Sequence, residues 1–305
     1  MPHPHRIGEY DVQELYATGG VTRFTATHAV LPRHAIIELV DSTTSTRSRA
    51  VKLMRHACIL EALHHPGIPR VYECGMHEGR AWVAFQPANG VSLAVELCAR
   101  RLSVREVTEL VETVAAILAH AHARGVLHRD ITPSVIIRDD ERDMWVVAGW
   151  TRACTFDTEL AIPLHGTTSY RAPELANDDD LLDGRSDVYS LGAVAYEALT
   201  GQVPSLPITD VANLPGDLGA LIMQMLSEDP LLRPNATAVV AAAGTIADEL
   251  VDEDDGSVDI SFDDDTVIEP RRRSRWTPQW QLDTNGGTLV EIVPRRVRTH
   301  RDTES

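Results

Sequence analysis

The chain has 305 residues, which predicts either one two-lobed domain with a tail or two domains, because a single hydrophobic core seldom grows beyond about 250–300 residues. The formal net charge of −17 argues against general binding to nucleic acids or acidic membranes. The four cysteines form no C-x-x-C pair, and no apolar run reaches the roughly 18 residues that a bilayer requires. These features predict a cytoplasmic protein without a transmembrane segment.

The first part of the chain, residues 8–88, predicts a small lobe of short strands around one helix, after a disordered start at 1–7. The apolar positions of 47–63 fall on one helical face, and the breaker sequence His-Pro-Gly at 65–67 ends that helix. The strand-like pieces are rich in β-branched and aromatic residues: 21–29, 34–40, 70–75 and 81–86.

Residues 89–249 predict a larger, mostly helical lobe. Ser103 and Glu106 have the spacing of a capping box, and the long apolar helix that follows them ends at Gly125. Further helices are expected over 186–200 and 216–226. Mixed strands followed by helices predict a two-lobed α+β architecture.

The last part of the chain, residues 250–305, changes in composition. Residues 251–269 carry nine acids and no base, and residues 271–301 carry eight arginines. Such charge blocks predict a disordered tail, in which the basic block pairs with its acidic neighbour. An Asn-Gly-Gly turn between apolar segments predicts a short hairpin over 280–293.

The tripeptide His128-Arg129-Asp130 follows a long helix and a glycine, and it resembles the catalytic-loop signature of protein kinases. Three later motifs strengthen the resemblance because they follow in the family's order: Gly166 to Glu174 (GTTSYRAPE), Asp187 to Gly192 (DVYSLG) and Asp229 to Pro234 (DPLLRP). The pattern covers about residues 10–245 and is similar to bacterial serine/threonine kinases of the eukaryotic type. It implies a protein-kinase-like fold with a β-rich N-lobe and a helical C-lobe.

The resemblance also implies structural roles. His128 and Arg129 belong to the catalytic loop, and Asp187 is expected to hold the backbone of that loop. Arg233 is expected to pair with Glu174, the glutamate of Ala-Pro-Glu.

Five positions depart from the residues that hold ATP and magnesium in the family. Glu38 stands where a phosphate-binding lysine is expected, and His56 stands where its glutamate partner is expected. Thr132 replaces a lysine, and Val135 and Ala148 replace the two metal ligands. We therefore predict no metal site and no cofactor, so ATP and magnesium enter only under the alternative of an active kinase.

Asp130 occupies the position of the base that accepts the substrate proton, but without metal it is predicted to be a structural hydrogen-bonding group. Glu38 and His56 form either a pair of reversed polarity or two unrelated side chains. Lys52 is excluded as the missing lysine, because it lies only 13 residues (65 − 52) before His65 and leaves no room for the small-lobe helix. Trp150 is expected to pack in the core.

Nucleotide binding, if it occurs, is expected to use three residues. Gly19 and Gly20 remain in the glycine-rich loop, and Ala88 follows Pro87, which has no N–H to donate. A nucleotide-binding but inactive switch is therefore a further alternative.

These observations predict a pseudokinase, a catalytically inactive signalling or scaffold module. Its expected partners are other signalling proteins, among them an active kinase and a phosphothreonine-binding domain. The candidate phosphoacceptors are Thr167 and Thr168 in the activation segment and Thr266 in the acidic tail, where a plain solubilising linker remains the alternative. A serine/threonine kinase with weak, atypical transfer is the competing function.

Overall fold

A sheet of six antiparallel strands forms the first lobe of the structure, which is a computed structural model. It describes residues 5–18, 21–41, 46–155, 168–176, 183–205, 214–254, 280–282 and 289–291. In sheet order β1-β2-β3-β4-β6-β5, the strands are β1 (Arg6–Ile7), β2 (Tyr10–Thr18), β3 (Val21–His28), β4 (His34–Val40), β6 (Arg80–Phe85) and β5 (Val71–His77).

Helix α1 (Thr46–Ala62) packs on one face of this sheet, against β4 and β6. Successive side chains of a strand point to opposite faces. In β4, Val40 therefore joins the core beneath α1, and Glu38 points to the same side. Ile37 and Leu39 point away and join a second buried cluster on the outer face. The sheet thus directs Glu38 toward the space between the two lobes (the cleft).

Helix α3 (Val104–His122) is the centre of the second lobe, and its inward face is fully buried. It begins with the predicted capping box, in which the Ser103 N–H donates to Glu106 Oε2 at 2.8 Å and the Glu106 N–H donates to Ser103 Oγ at 3.3 Å. The other helices of this lobe are α2 (Leu93–Ala99), α4 (Arg185–Thr200), α5 (Gly216–Met225) and α6 (Ala236–Asp254). The predicted two-lobed α+β architecture is confirmed.

Short strands flank the two segments that carry the predicted residues of the catalytic loop and of the metal positions. Strands β7 (Gly90–Ser92), β9 (Ile136–Asp139) and β10 (Met144–Val147) form one sheet, and β8 (Val126–Leu127) pairs with β11 (Cys154–Thr155). Residues 128–135 lie between β8 and β9, and residues 148–153 lie between β10 and β11. The described part of the chain also contains four 3₁₀ turns: Trp150–Arg152, Thr168–Tyr170, Pro173–Ala176 and Pro230–Leu232.

Helix α6 continues to Asp254, past the predicted domain end at 249. Acidic residues at a helix C-terminus oppose the helix dipole, so the sequence did not predict this extension. In the tail, β12 (Trp280–Leu282) pairs with β13 (Leu289–Glu291) in antiparallel register, within the span of the predicted hairpin. Within the described ranges, none of the helices combines the length and apolar character needed to cross a membrane.

Candidate functional site

Asp187 holds the backbone of the loop that follows β8. Its Oδ2 atom accepts hydrogen bonds from the N–H of His128 and from Nε2 of His122, both at 2.9 Å, and its Oδ1 atom accepts one from the N–H of Arg129 at 2.7 Å. Burial alone would raise the pKa of Asp187, but the hydrogen bond and charge of His122, aided by His128, hold that pKa below its usual value. The loop is therefore anchored by a buried, ionised carboxylate.

The ring of His128 links this loop to the segment after β10. Its Nε2 donates to the carbonyl oxygen of Ala148 at 2.9 Å, and its Nδ1 accepts from the N–H of Asp130 at 3.2 Å. Burial lowers the pKa of His128, so the ring is neutral and these two bonds place its proton on Nε2. Trp150 packs edge-on against this ring with centroids 4.6 Å apart, and its Nε1 donates to the Val147 carbonyl at 2.8 Å. Trp150 is 1% exposed, which confirms its predicted place in the core.

Asp130 lies beside arginines. Its Oδ2 atom is 3.3 Å from Nε of Arg152, and the two side chains are 34% and 28% exposed. Burial and the charges of Arg152 and Arg129 lower the pKa of Arg171, and the charge of Asp130 opposes that change. The carboxylate at the base position is thus already engaged by a guanidinium.

Arg129 is a buried cation in a left-handed backbone conformation, with φ of 67° and 7% exposure. Among the described residues, its Nε and Nη1 atoms have no hydrogen-bond partner. Burial raises the pKa of the Cys154 thiol, and the charge and a hydrogen bond of Arg129 oppose that rise. Arg129 therefore carries unused hydrogen-bonding capacity next to Asp130.

The two positions where the resemblance places metal ligands are apolar. The Ala148 N–H donates to the Val135 carbonyl at 2.8 Å, and neither side chain contains an oxygen. A Cβ atom on Gly149 would lie 2.5 Å from Cγ1 of Val135, so the valine side chain fills this space. The Thr132 hydroxyl is bonded to the Ser134 hydroxyl at 2.8 Å. Magnesium requires oxygen ligands in near-octahedral geometry, so these residues do not fit it.

Glu38 makes an ion pair with Arg23, its direct partner across β3 and β4. Nε of Arg23 lies 2.6 Å from Oε1 of Glu38, and the Glu38 side chain is only 7% exposed. Lys52 is exposed on α1, as expected for a lysine with no role in the cleft. The inner end of the cleft therefore holds a carboxylate whose charge is compensated from the neighbouring strand.

His56 lies on α1 beneath this pair, and its ring packs on Phe85 with centroids 5.2 Å apart. Neither ring nitrogen has a hydrogen-bond partner within the described part of the chain. Burial lowers the pKa of His56 to about 4, while the charge of Glu38 acts in the opposite direction. Of the two alternatives for Glu38 and His56, the structure shows no hydrogen bond between them: Glu38 forms its ion pair with Arg23, and the buried imidazole is neutral.

Glu174 and Arg233 form a bidentate ion pair, with distances of 2.6 Å and 2.8 Å from Nη1 and Nη2 to the two carboxylate oxygens. The Arg233 side chain is fully buried and also donates to the carbonyls of Ser227, Glu228 and Arg185. This pair fixes the Pro173–Ala176 turn to the segment before α6.

The remaining predicted residues are less fully placed. Ala88 is half-buried in the connection after β6. Thr168 begins a 3₁₀ turn. Gly19, Gly20, Thr167 and Thr266 lie outside the described residues.

Three side chains of the site were not found by sequence reasoning: Arg23, Arg152 and His122. Arg23 could have been found by counting across the β3–β4 pair, since it lies opposite Glu38. The other two come from elements distant in sequence, and no local pattern indicates them.

Comparison with known proteins agrees with this geometry. The model of the protein kinase domain family matches residues 24–243. The chain is 28% identical over 267 residues to serine/threonine-protein kinase PknJ of Mycobacterium tuberculosis, covering 78% of this chain and 45% of that protein. It is 32% identical over 205 residues to PknF (63% and 43%) and 33% identical over 210 residues to PknA (65% and 48%), both from the same species.

The chain spans less than half the length of these curated relatives. The family model nevertheless covers most of this chain, and its span contains the loop of Asp130, the Glu174–Arg233 pair and the buried Asp187. The chain therefore belongs to the protein kinase family and is similar to its bacterial, eukaryotic-like serine/threonine members.

Proposed function

We propose that this chain is a catalytically inactive protein-kinase-like module, which acts by binding other signalling proteins. The observation that carries the proposal is that the side chains of Val135 and Ala148 place no oxygen where the family binds magnesium. Glu38 adds a negative charge where the phosphates of ATP need a positive one. Phosphoryl transfer relies almost entirely on positioning and on charge around the phosphates.

The retained Asp130 does not supply what is missing. Removing one preorganised electrostatic group typically slows an enzyme by about 10²–10³-fold, and here the metal ligands and the phosphate-binding cation are all absent from their positions. Asp130 is held by Arg152 and stays within the hydrogen-bonded loop of His128. Its role in this proposal is structural.

A thermal-shift titration with ATP, with and without Mg²⁺ or Mn²⁺, tests the proposal. A ligand at about 100 times its Kd stabilises a protein by about 2.7 kcal/mol, so binding moves the melting temperature visibly. We expect no metal-dependent shift and no transfer of radiolabelled phosphate to a peptide. The combined variant Glu38→Lys, Val135→Asn, Ala148→Asp is the matched control and should gain a magnesium-dependent shift.

A metal-dependent shift in the unaltered chain, followed by phosphate transfer, would instead favour the weak, atypical serine/threonine kinase. Similarity to PknF makes that relative the positive control for both assays.

A second function, regulation by phosphorylation, is favoured by Arg129. A buried guanidinium with two unpartnered nitrogens, near Arg152 and Arg171, suits a phosphate group. Thr167 and Thr168 are candidate acceptors in the activation segment. An active bacterial kinase would modify them, and mass spectrometry would map the phosphate. An Arg129→Gln variant should lose any stabilisation that phosphorylation brings, while an unmodified segment would remove the idea.

The acidic tail offers the other acceptor. Thr266 lies between Asp263–Asp265 and Glu269, a setting that suits recognition by a phosphothreonine-binding domain. The same kinase reaction on Thr266→Ala separates the two sites. If the phosphorylated tail binds no forkhead-associated domain, its role would be that of a solubilising linker.

A further inference from the structure

Arg23 is the accessible half of an ion pair whose other half is buried. Its side chain is 30% exposed, whereas the side chain of Glu38 is 7% exposed. Both lie on the face of the sheet that is turned toward α1, Arg23 on β3 and Glu38 directly opposite it on β4. The guanidinium is therefore more accessible to a ligand than the carboxylate.

Glu38 cannot be left unpaired at this depth. A buried carboxylate that loses its partner strongly destabilises the folded protein, because the protein interior does not replace the hydration that the charge lost on burial. Removing Arg23 from the pair therefore requires that another group compensate Glu38, or that a proton neutralise it.

His56 is the group available for that compensation. It is 9% exposed, and within the described residues both of its ring nitrogens lack a hydrogen-bond partner. The groups whose charged forms act on it are Glu38 on β4, Arg23 on β3 and, when it is protonated, His128 after β8. Arg23 and His128 disfavour the protonated ring, and Glu38 favours it.

We propose that Arg23 and Glu38 form an exchangeable ion pair. A phosphate-bearing ligand binds the Arg23 guanidinium without a metal ion. The Glu38 carboxylate then pairs with His56, which has taken up one proton from solvent. No covalent bond changes, and one proton is bound for each ligand. The proposal rests on the proposed function, because it assigns a metal-independent ligand to the cleft that has lost its metal positions.

Charge and geometry both favour this exchange. A guanidinium binds a phosphate group through two parallel hydrogen bonds, which suits a site without a divalent cation. Protonated His56 would gain the hydrogen-bond partner that both of its nitrogens now lack. When Arg23 is taken by the ligand, its charge no longer opposes protonation of the ring. Binding and proton uptake are therefore one linked event.

The test is isothermal titration calorimetry of the full chain with inorganic tripolyphosphate, and separately with ADP, in EDTA. Each titration is repeated in two buffers of different ionisation enthalpy, which gives the number of protons bound. We expect close to one proton per ligand near pH 6.5. Affinity should fall by about tenfold for each pH unit of increase, over the range in which the pair takes up its proton.

Three variants make the test specific. Arg23→Gln should lose binding by at least tenfold. Glu38→Gln should bind at least as tightly as the unaltered chain but without proton uptake, and it corrects for titration of the ligand itself. His56→Phe, which keeps a ring against Phe85, should bind at least tenfold more weakly and without uptake. Unchanged binding in Arg23→Gln, or full proton uptake in Glu38→Gln, would overturn the proposal.

A measurement without ligand guards against a variant that binds poorly for other reasons. In Arg23→Gln, the NMR signals of the His56 ring should titrate at a higher pH than in the unaltered chain. An unchanged His56 titration would contradict the exchange directly.

The separate titrations with tripolyphosphate and ADP distinguish the possible sources of the phosphate group. Tripolyphosphate binding identifies the phosphate group as the recognised chemistry, and ADP binding alone identifies a nucleotide. If neither binds and the chain also transfers no phosphate, the exchange is wrong and the inactive module stands. Magnesium-dependent transfer would instead overturn the inactive module.

Discussion

Nε of Arg152 lies 3.3 Å from Oδ2 of Asp130, so the carboxylate at the position of the catalytic base forms an ion pair with a guanidinium. Arg152 comes from the 3₁₀ turn that begins with the buried Trp150. The segment that carries magnesium ligands in the family here supplies a core aromatic residue and a cation.

Asp130→Asn should leave phosphate incorporation at the level of the unaltered chain, because the base has no metal-bound phosphate to act with. The free energy of unfolding should change by less than about 1 kcal/mol, since partly exposed ion pairs contribute little. A radiolabel assay and urea denaturation measure the two quantities. A clear loss of incorporation in Asp130→Asn would mean that the chain is an active kinase.

Replacing Glu174 by Ala should destabilise the chain by about 3–5 kcal/mol, because it leaves the fully buried Arg233 without its carboxylate. Urea denaturation with the double variant Glu174→Ala, Arg233→Met provides the control. That variant should recover part of the loss, since it removes the uncompensated charge. A loss below about 1 kcal/mol in the single variant would contradict this account.

Gly149→Ala should be more damaging than Gly79→Ala, although both glycines have nearly the same φ, 77° and 75°. An added Cβ at Gly79 meets nothing within 4 Å, whereas at Gly149 it lies 2.5 Å from Cγ1 of Val135. Gly79→Ala therefore reports only the backbone cost of about 1–2 kcal/mol. Thermal unfolding in a Val135→Ala background should reduce the excess cost at Gly149 and leave Gly79 unchanged. Equal costs in the original background would exclude the Val135 contact.

Ser103→Ala should cost about 0.5–2 kcal/mol through loss of the α3 cap. Ser92 precedes α2 in the same way, but its hydroxyl makes no cap bond and has no partner among the described residues. Ser92→Ala should therefore be neutral or slightly stabilising in the same denaturation experiment. A similar loss at both positions would argue against the capping box as the cause.

His56 should make stability depend on pH. Its pKa is about 4 in the folded chain and 6.5 as a free side chain, so between these values the unfolded state binds more protons. Stability should therefore fall as the pH decreases from about 6.5 to 4, by roughly 3 kcal/mol in total from this residue. His56→Leu should flatten that part of the pH–stability curve measured by urea denaturation. An unchanged slope would mean that the ring is not buried in its neutral form.

The family and the main elements could be predicted from the amino-acid sequence. Predicted helices at 47–63, 186–200 and 216–226 correspond to Thr46–Ala62, Arg185–Thr200 and Gly216–Met225. Apolar periodicity, caps and glycine stops are local signals, so they survive without knowledge of the tertiary structure. The changed residue types at Glu38, Val135 and Ala148 are also visible in the sequence alone.

Which charged side chains form ion pairs could not be predicted without the folded structure. Sequence spacing suggested His56 as the partner of Glu38, but strand register places Arg23 opposite the carboxylate, and burial keeps the imidazole neutral. The pairs of Arg152 with Asp130 and of His122 with Asp187 likewise join segments that are distant along the chain. Charge pairing depends on distance and burial in the folded molecule, and neither quantity is encoded in local residue patterns.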